Sequence, residues 1–271
     1  MEKYAKPTKG AHGTSGPIGI GYGAEWMPLI DTYLEAADDA LKCGIIPDYN
    51  DGNVVGASVA QFNITGGERI TSPGAFLKTI PDTLTLWTET EVNKIVLDGK
   101  KAVGVEVKKN GKKEVVKGSE IIVSCGTIGS PAVLMRSGIT TKENPAIGKN
   151  LKDHLILSLE FELNSKLLSH HQILEDPDLA AAAEKAYRLG KNGDLVKFGG
   201  SSGVIFPKLD SVYKSKEFQK IDSETKAFLE DPGRPTTEIW FMVIDLLGGL
   251  ISERRGLLAT ATAEGEELYH V

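Results

Sequence analysis

Ile121-Ile122-Val123-Ser124-Cys125-Gly126-Thr127-Ile128-Gly129-Ser130-Pro131-Ala132-Val133-Leu134-Met135-Arg136-Ser137-Gly138-Ile139 is the stretch on which the reading of this 271-residue chain turns. Its first three side chains are β-branched and follow one another without alternation, the pattern of a strand buried on both faces. Gly126 closes that run at once, and Ser130-Pro131 reads as the opening of a helix that continues through Leu134 and Met135 to Gly138. A buried strand, a glycine turn and a helix N-terminus in this order are what α/β proteins use to hold phosphates or cofactors at the carboxyl ends of strands. From the residues alone, Gly126 to Pro131 is open between a ligand contact and a plain turn.

Working outward toward the N-terminus, four strand-like segments precede this stretch: Leu84 to Thr88, Val92 to Leu97, Ala102 to Lys108 and Lys113 to Lys117. Asp98-Gly99 and Asn110-Gly111 are hairpin turn signals, so the region is expected to form a meander. Further upstream, Leu29, Ile30, Leu34, Ala37, Ala40 and Leu41 recur at helical spacing, with Gly44 as the expected C-cap. Val59 to Ile64 suits a strand, and Thr71-Ser72-Pro73 an N-cap with proline in the first turn. Gly16-Pro17-Ile18 looks like a loop leading into a short strand.

On the C-terminal side the texture changes near Asn150. Leu155 to Leu163 is strand-like, Pro177 to Leu189 helical, Gly199 to Gly203 a flexible linker by composition, Ser215 to Leu229 a charged helix and Thr236 to Leu246 a strand. Ser252 to Val271 has no clear period and is expected to be a loose tail. The fold class is therefore α/β plus α+β, partitioned as 1–66, 67–150, 151–251 and 252–271. The second part holds the meander with the buried parallel strand, and the third belongs to a sheet-based unit.

Composition narrows the function classes. With 31 Lys and Arg against 37 Asp and Glu, the formal charge is −6, and the one Lys-dense stretch, Lys108 to Lys117, surrounds a hairpin turn. A nucleic-acid surface is not expected. Two cysteines, Cys43 and Cys125, cannot make a disulfide framework, and both are expected as buried thiols. No apolar run approaches the roughly 20 residues of a membrane span, and Met1 to Gly10 shows no apolar signal-peptide core.

Several motifs are weaker than they look. Gly19-Ile20-Gly21-Tyr22-Gly23-Ala24 matches the dinucleotide fingerprint in letters, but no buried strand stands before it. Asp153-His154 and His170-His171 are of metal-ligand or acid/base type without a third partner at a recognisable spacing, so no metal site is assigned. His12 and His270 fall in segments expected to be mobile. No nucleophile elbow, HExxH or P-loop occurs.

Taken together, the quoted stretch and Gly148-Lys149-Asn150-Leu151-Lys152-Asp153-His154 resemble the glucose-methanol-choline (GMC) flavin oxidoreductases, whose second signature and VGxNLxDH segment they match. His12-Gly13 with Gly16-Pro17-Ile18 is similar to that family's HGxxGP, Gly67-Glu68-Arg69 to its GxR, and Val92-Asn93-Lys94-Ile95 followed by Gly104-Val105-Glu106 to its strand pair. The resemblance covers residues 10 to 160 well and the rest loosely. It departs where SGIG becomes Ser137-Gly138-Ile139-Thr140, and where Thr141 to Pro145 is shortened.

What the resemblance implies is an FAD-dependent oxidation of an alcohol CH–OH group. Val92 would contact the adenine side of FAD through its backbone, and Gly126 with its neighbours Thr127 and Ser130 would lie close to the flavin. Residues 67–150 would be part of the FAD-binding domain, 151–251 part of the substrate domain, and 1–66 a mixture of both. The family's GxGxxG and its catalytic histidine fall outside residues 1 to 271, so no catalytic residue is assigned and the chain alone is expected to be inactive. The other reading is a binding or structural remnant of the scaffold.

Overall fold

The computed structural model describes residues 2–4, 10–22, 29–139, 144–162, 170–197, 201–242 and 256–263. They fall into two units, Ile80–Asp153 and a second made of Met1–Thr79 with His154–Val271. In chain order the first part of the larger unit holds β1 (Glu2–Tyr4), β2 (Ile18–Ile20), α1 (Ile30–Leu41), β3 (Gly56–Val59), β4 (Ile64–Thr65), β5 (Glu68–Arg69) and α2 (Ser72–Phe76). The smaller unit follows with β6 (Thr90–Asp98), β7 (Lys101–Lys109), β8 (Lys112–Lys117) and α3 (Gly126–Arg136). The larger unit resumes with β9 (Leu155–Glu162), α4 (His170–Glu175), α5 (Pro177–Gly190), β10 (Ser201–Phe206), α6 (Asp210–Tyr213), α7 (Lys216–Lys220), α8 (Ser223–Glu230), β11 (Glu238–Met242) and β12 (Gly256–Ala263).

A five-stranded sheet in the order β3-β10-β11-β12-β9 carries the larger unit, each neighbour antiparallel. α1 lies on it because its apolar stripe, Ile30, Leu34 and Ala37, needs a partner, which Ala57, Val59, Ile205 and Phe241 supply. The helix ends with Lys42 in the left-handed conformation, and the Asp38 side chain accepts from the Gly44 amide at 2.8 Å. The cap is thus Lys42, two residues before the glycine that the sequence suggests.

The smaller unit is the expected meander, β6-β7-β8, with α3 against β6. Ile95, Val107 and Val133 are its buried side chains. Its register runs from Thr90↔Lys109 to Asp98↔Lys101 on one side of β7 and from Gly104↔Lys117 to Lys109↔Lys112 on the other. Glu106 in the central strand accepts from Asn93 Nδ2 and lies near Lys113 and Lys94, and those donors and charges hold its carboxyl below the usual range.

The structure departs from the sequence reading at several places. Ile121 to Val123 forms no strand, and Ile122 is 82% exposed. A strand of the doubly buried kind is made by neighbours on both edges, and among the described residues none pairs with this run. Leu84 to Thr88 is likewise irregular, with Leu84, Leu86 and Trp87 exposed and Lys109 Nζ 5.1 Å from the Trp87 ring centre. The expected strand over Val59 to Ile64 is interrupted between β3 and β4, where Phe62 bonds Gly21 instead.

Gly199 to Gly203 is not a linker in its described part: Ser201 to Gly203 begin β10, which is paired on both sides. The Ser215 to Leu229 helix is two, α7 and α8, because Asp222 caps a new start by accepting from the Thr225 amide at 2.8 Å. Within the expected loose tail, Gly256–Ala263 is β12, an inner strand of the sheet. Its Leu, Ala and Thr residues carry little local signal; pairing on both edges with β11 and β9 makes the strand.

Candidate functional site

α3 positions three of the four residues singled out from the sequence. Its first turn is Gly126, Thr127, Ile128 and Gly129, and it contains no acidic side chain. The cap residue Cys125 gives no side-chain hydrogen bond; instead its own amide donates to Ser130 Oγ at 2.9 Å, folding the turn back on the helix. The amides of Gly126, Thr127 and Ile128 have no acceptor within the helix. Pro131 has no N–H to offer the Thr127 carbonyl, so that acceptor too is released from the helical ladder. Gly126 has a φ of 80°, with nothing within 4 Å of where a Cβ would stand. Glycine is needed there for the backbone turn, and the space above it is open.

Ser130 is therefore committed to the turn, while Gly126, Thr127 and Ile128 face outward, Ile128 being 76% exposed. Val92 lies elsewhere, half-buried on β6 beside an irregularity in its pairing with β7. Arg136 spans to that strand, its Nε donating to the Asn93 carbonyl at 2.7 Å and its Nη2 reaching the Val92 carbonyl at 3.5 Å. Ser137 completes the clamp, accepting from the Ile95 amide at 2.7 Å and donating to the Val133 carbonyl at 2.6 Å. Val92 is thus tied through Arg136 to the C-terminal end of α3, while Gly126 is at the N-terminal end of that helix.

Arg136 and Ser137 went unassigned from the sequence; the basic residue in the last turn of a helix was the available signal. Ser137→Ala strands the Ile95 amide in a partly buried setting and is expected to cost about 1–3 kcal/mol. Faster hydrogen exchange at Ile95, localised to α3 and β6, is the readout.

The two thiols differ, and neither is fully buried. Cys125 is exposed at the start of α3, whereas Cys43 is half-buried. Burial, and more weakly the Asp38 carboxylate, raise the Cys43 thiol above its ordinary value. A thiol-selective disulfide reagent at about pH 8 is expected to modify Cys125 first and Cys43 slowly, as resolved by mass spectrometry of the two peptides.

In the larger unit the structure shows a polar cluster that the sequence did not reveal. The His12 and Asp48 side chains, 4% and 1% exposed, meet at 2.9 Å between Nε2 and Oδ2. Asp48 Oδ1 accepts from the Asn50 amide at 3.0 Å and from Gln61 Nε2 at 3.1 Å. Gln61 also donates to Tyr22 Oη and accepts from Asn50 Nδ2, and Tyr22 Oη donates to the Pro47 carbonyl. His12 is therefore fixed in the fold, contrary to the mobile segment expected around it. Asp153 and His154 are exposed, His170 and His171 open α4, and His270 lies outside the described residues. Among the described residues no group of three or more His, Cys, Asp or Glu could hold a metal ion.

Against known proteins, the model of the GMC oxidoreductase family matches residues 3–156. The alcohol dehydrogenase [acceptor] of Pseudomonas putida is 31% identical over 172 residues, 57% of this chain and 31% of that protein. The oxygen-dependent choline dehydrogenase of Rhizobium johnstonii is 32% identical over 170 residues, covering 57% and 31%. Among solved structures, that of formate oxidase superposes with a TM-score of 0.78 at 20% identity, covering 97% of this chain and 50% of the other. The chain spans about a third of the curated relatives' length and half of that structure.

Proposed function

Since the chain belongs to the GMC oxidoreductase family, we propose that it is part of an FAD-dependent oxidoreductase acting on the CH–OH group of an alcohol. We propose further that residues 1–271 by themselves are inactive. The carrying observation is that the family match, residues 3–156, includes Val92, Gly126, Thr127 and Ser130 together with the strand and helix that position them.

The chain's own atoms suit a polar, anionic cofactor at this place. The first turn of α3 offers amides without helical acceptors, carries no carboxylate to repel phosphate, and leaves the Gly126 backbone open to approach. Val92 at the far end of α3 gives the same helix a second contact point for an extended dinucleotide. Bound FAD would supply the hydride acceptor for alcohol oxidation. The part of this chain is to orient it, through Gly126 and Thr127 at one end and the Val92 backbone at the other, with Ser130 holding the turn and Arg136 the strand.

Hydride removal also needs a base for the hydroxyl proton, and a positioned group of that kind contributes roughly 10²–10⁴-fold in rate. The His12 side chain is 4% exposed and bonded through Nε2 to Asp48, which takes it out of reach of an alcohol in solvent. This favours inactivity of the chain alone, and it is also the observation behind a second reading, a scaffold that keeps the fold without the chemistry.

A chimera separates the two. Exchanging the aligned stretch of the Pseudomonas putida alcohol dehydrogenase for that of this chain is expected to yield a protein that retains FAD and oxidises alcohols. A folded chimera that holds no flavin contradicts the cofactor assignment, and one that holds flavin without turnover favours the scaffold reading. The chain alone, given FAD, a panel of primary, benzylic and sugar alcohols and a dye acceptor, is expected to show no turnover. Turnover abolished by His154→Ala would contradict this.

A further inference from the structure

The outer strand of the meander is shaped around one residue. β6 stands at the end of the β6-β7-β8 sheet, and its register with β7 passes from Val92↔Val107 directly to Lys94↔Glu106, so Asn93 is left over as a bulge. In a regular antiparallel strand, neighbouring residues turn their backbone groups to opposite edges. Here the carbonyls of two neighbours, Val92 and Asn93, both meet the Arg136 guanidinium, at 3.5 and 2.7 Å. The Ile95 amide, which donates to Ser137 Oγ, marks this as the edge away from β7. The bulge thus turns the Val92 carbonyl toward the same outer edge as that of Asn93.

The bulge is also locked from the side of β7. Asn93 Nδ2 donates to Glu106 Oε1 at 2.5 Å, and Glu106 lies 3.4 Å from Lys113 Nζ of β8 and 3.9 Å from Lys94 Nζ. All three strands therefore converge on the Glu106 carboxylate. Without such anchors a strand is free to slip, and a slip of one residue exchanges its two faces and its two edges.

We propose that Asn93 is a positioning residue for the cofactor: gripped by Glu106 of β7 and by Arg136 of α3, it fixes the bulge that presents the Val92 backbone at the outer edge of β6. The inference rests on the reading that Val92 contacts the adenine side of FAD. Valine has no polar side-chain group with which to meet adenine, whereas adenine carries both N–H donors and ring-nitrogen acceptors, and a peptide backbone offers the complementary pair. The direction in which that backbone points therefore decides whether the contact forms. Asn93 acts through Val92, and its loss is read as weaker adenine binding.

The probe is ADP, titrated into the isotope-labelled chain and followed by nuclear magnetic resonance at the amides of residues 92 and 93. The unmodified chain is expected to bind it with a millimolar Kd, too weak to survive gel filtration. Asn93→Asp, which sets a carboxylate against Glu106, and Arg136→Ala are each expected to raise that Kd about fivefold, the loss of one hydrogen bond. Arg136 is exposed, so its variant is expected to fold, and an unchanged far-UV spectrum checks this. Adding Glu106→Gln to Asn93→Asp swaps donor and acceptor across the same gap and is expected to restore the affinity to within about twofold. Val116→Ala trims a half-buried side chain of β8, on the far side of β7, and is expected to lower stability while leaving the affinity unchanged. If ADP moves neither amide in the unmodified chain, the cofactor reading falls and this inference with it. If ADP binds but Asn93→Asp and Arg136→Ala bind it equally well, the cofactor reading stands and the inference alone is overturned. A swapped pair as weak as Asn93→Asp, or a Val116→Ala as weak as Arg136→Ala, overturns it equally.

Discussion

Asp48→Ala is expected to destabilise the larger unit by about 3–5 kcal/mol, the loss that follows when one partner of a buried, hydrogen-bonded charge is removed. The carboxylate is 1% exposed and takes hydrogen bonds from His12 Nε2, the Asn50 amide and Gln61 Nε2. Alanine leaves these donors facing an apolar wall, where each unmet donor costs about 1–3 kcal/mol. The network ties three parts of the chain together, the loop before β2, the turn at Pro47 to Asn50, and the segment after β3. Denaturant unfolding should therefore lower the midpoint, and hydrogen exchange should rise together around Gly21 and Phe62. Asp48→Asn keeps one carbonyl acceptor and the side-chain volume, so its loss is expected to be smaller. Equal stability of Asp48→Ala and the unmodified chain would remove the network from the account.

Phe241→Ala is expected to cost a similar amount, about 3–5 kcal/mol, by a different route. Phe241 is 2% exposed near the end of β11, and its ring stacks on Tyr33 of α1 with centroids 4.3 Å apart. Gly203 permits that approach, since a Cβ there would stand 3.1 Å from Tyr33 Cδ1 and 3.3 Å from Phe241 Cβ. Truncation removes the transfer free energy of the ring, leaves a cavity under α1, and forfeits the stacking of the aromatic pair, itself about 0.5–1.5 kcal/mol. A thermal melt is the measurement, and the tyrosine near-ultraviolet signal of Tyr33 should weaken with it. Burial also holds the Tyr33 hydroxyl well above its ordinary range, so it should stay protonated through alkaline titration longer than an exposed tyrosine.

How legible these features were in the sequence depended on the range of the interaction. Elements specified locally stood out: α1 by its 3.6-residue stripe, α2 by Thr71 and Pro73, and the meander by Asp98-Gly99 and Asn110-Gly111. α3 was expected to open at Ser130-Pro131, but it starts a turn earlier at Gly126 and holds Pro131 inside it. Ile121 to Val123 misled because a run of β-branched residues states what environment it needs and not whether a neighbour is present to provide it. β10 and β12 were missed for the converse reason: glycine, serine, alanine and threonine give a weak local signal, and pairing across the sheet makes them strands. His12, Asp48 and Gln61 are 36 and 13 residues apart along the chain, with no motif spacing to connect them. Of the candidate site, Gly126, Thr127 and Ser130 could be placed on one turn from the sequence, but the clamp of Arg136 and Ser137 on β6 could not.

We propose that residues 1–271 hold part of a flavin-oxidoreductase cofactor site, with contacts at Val92, Gly126 and Thr127 that do not suffice alone. The most direct measurement is the visible absorbance of the purified chain after incubation with excess FAD and gel filtration. The expected result is a colourless, folded protein that fails to carry FAD through the column. A yellow protein with one flavin per chain would contradict the account and return attention to the glycines at 19 to 21.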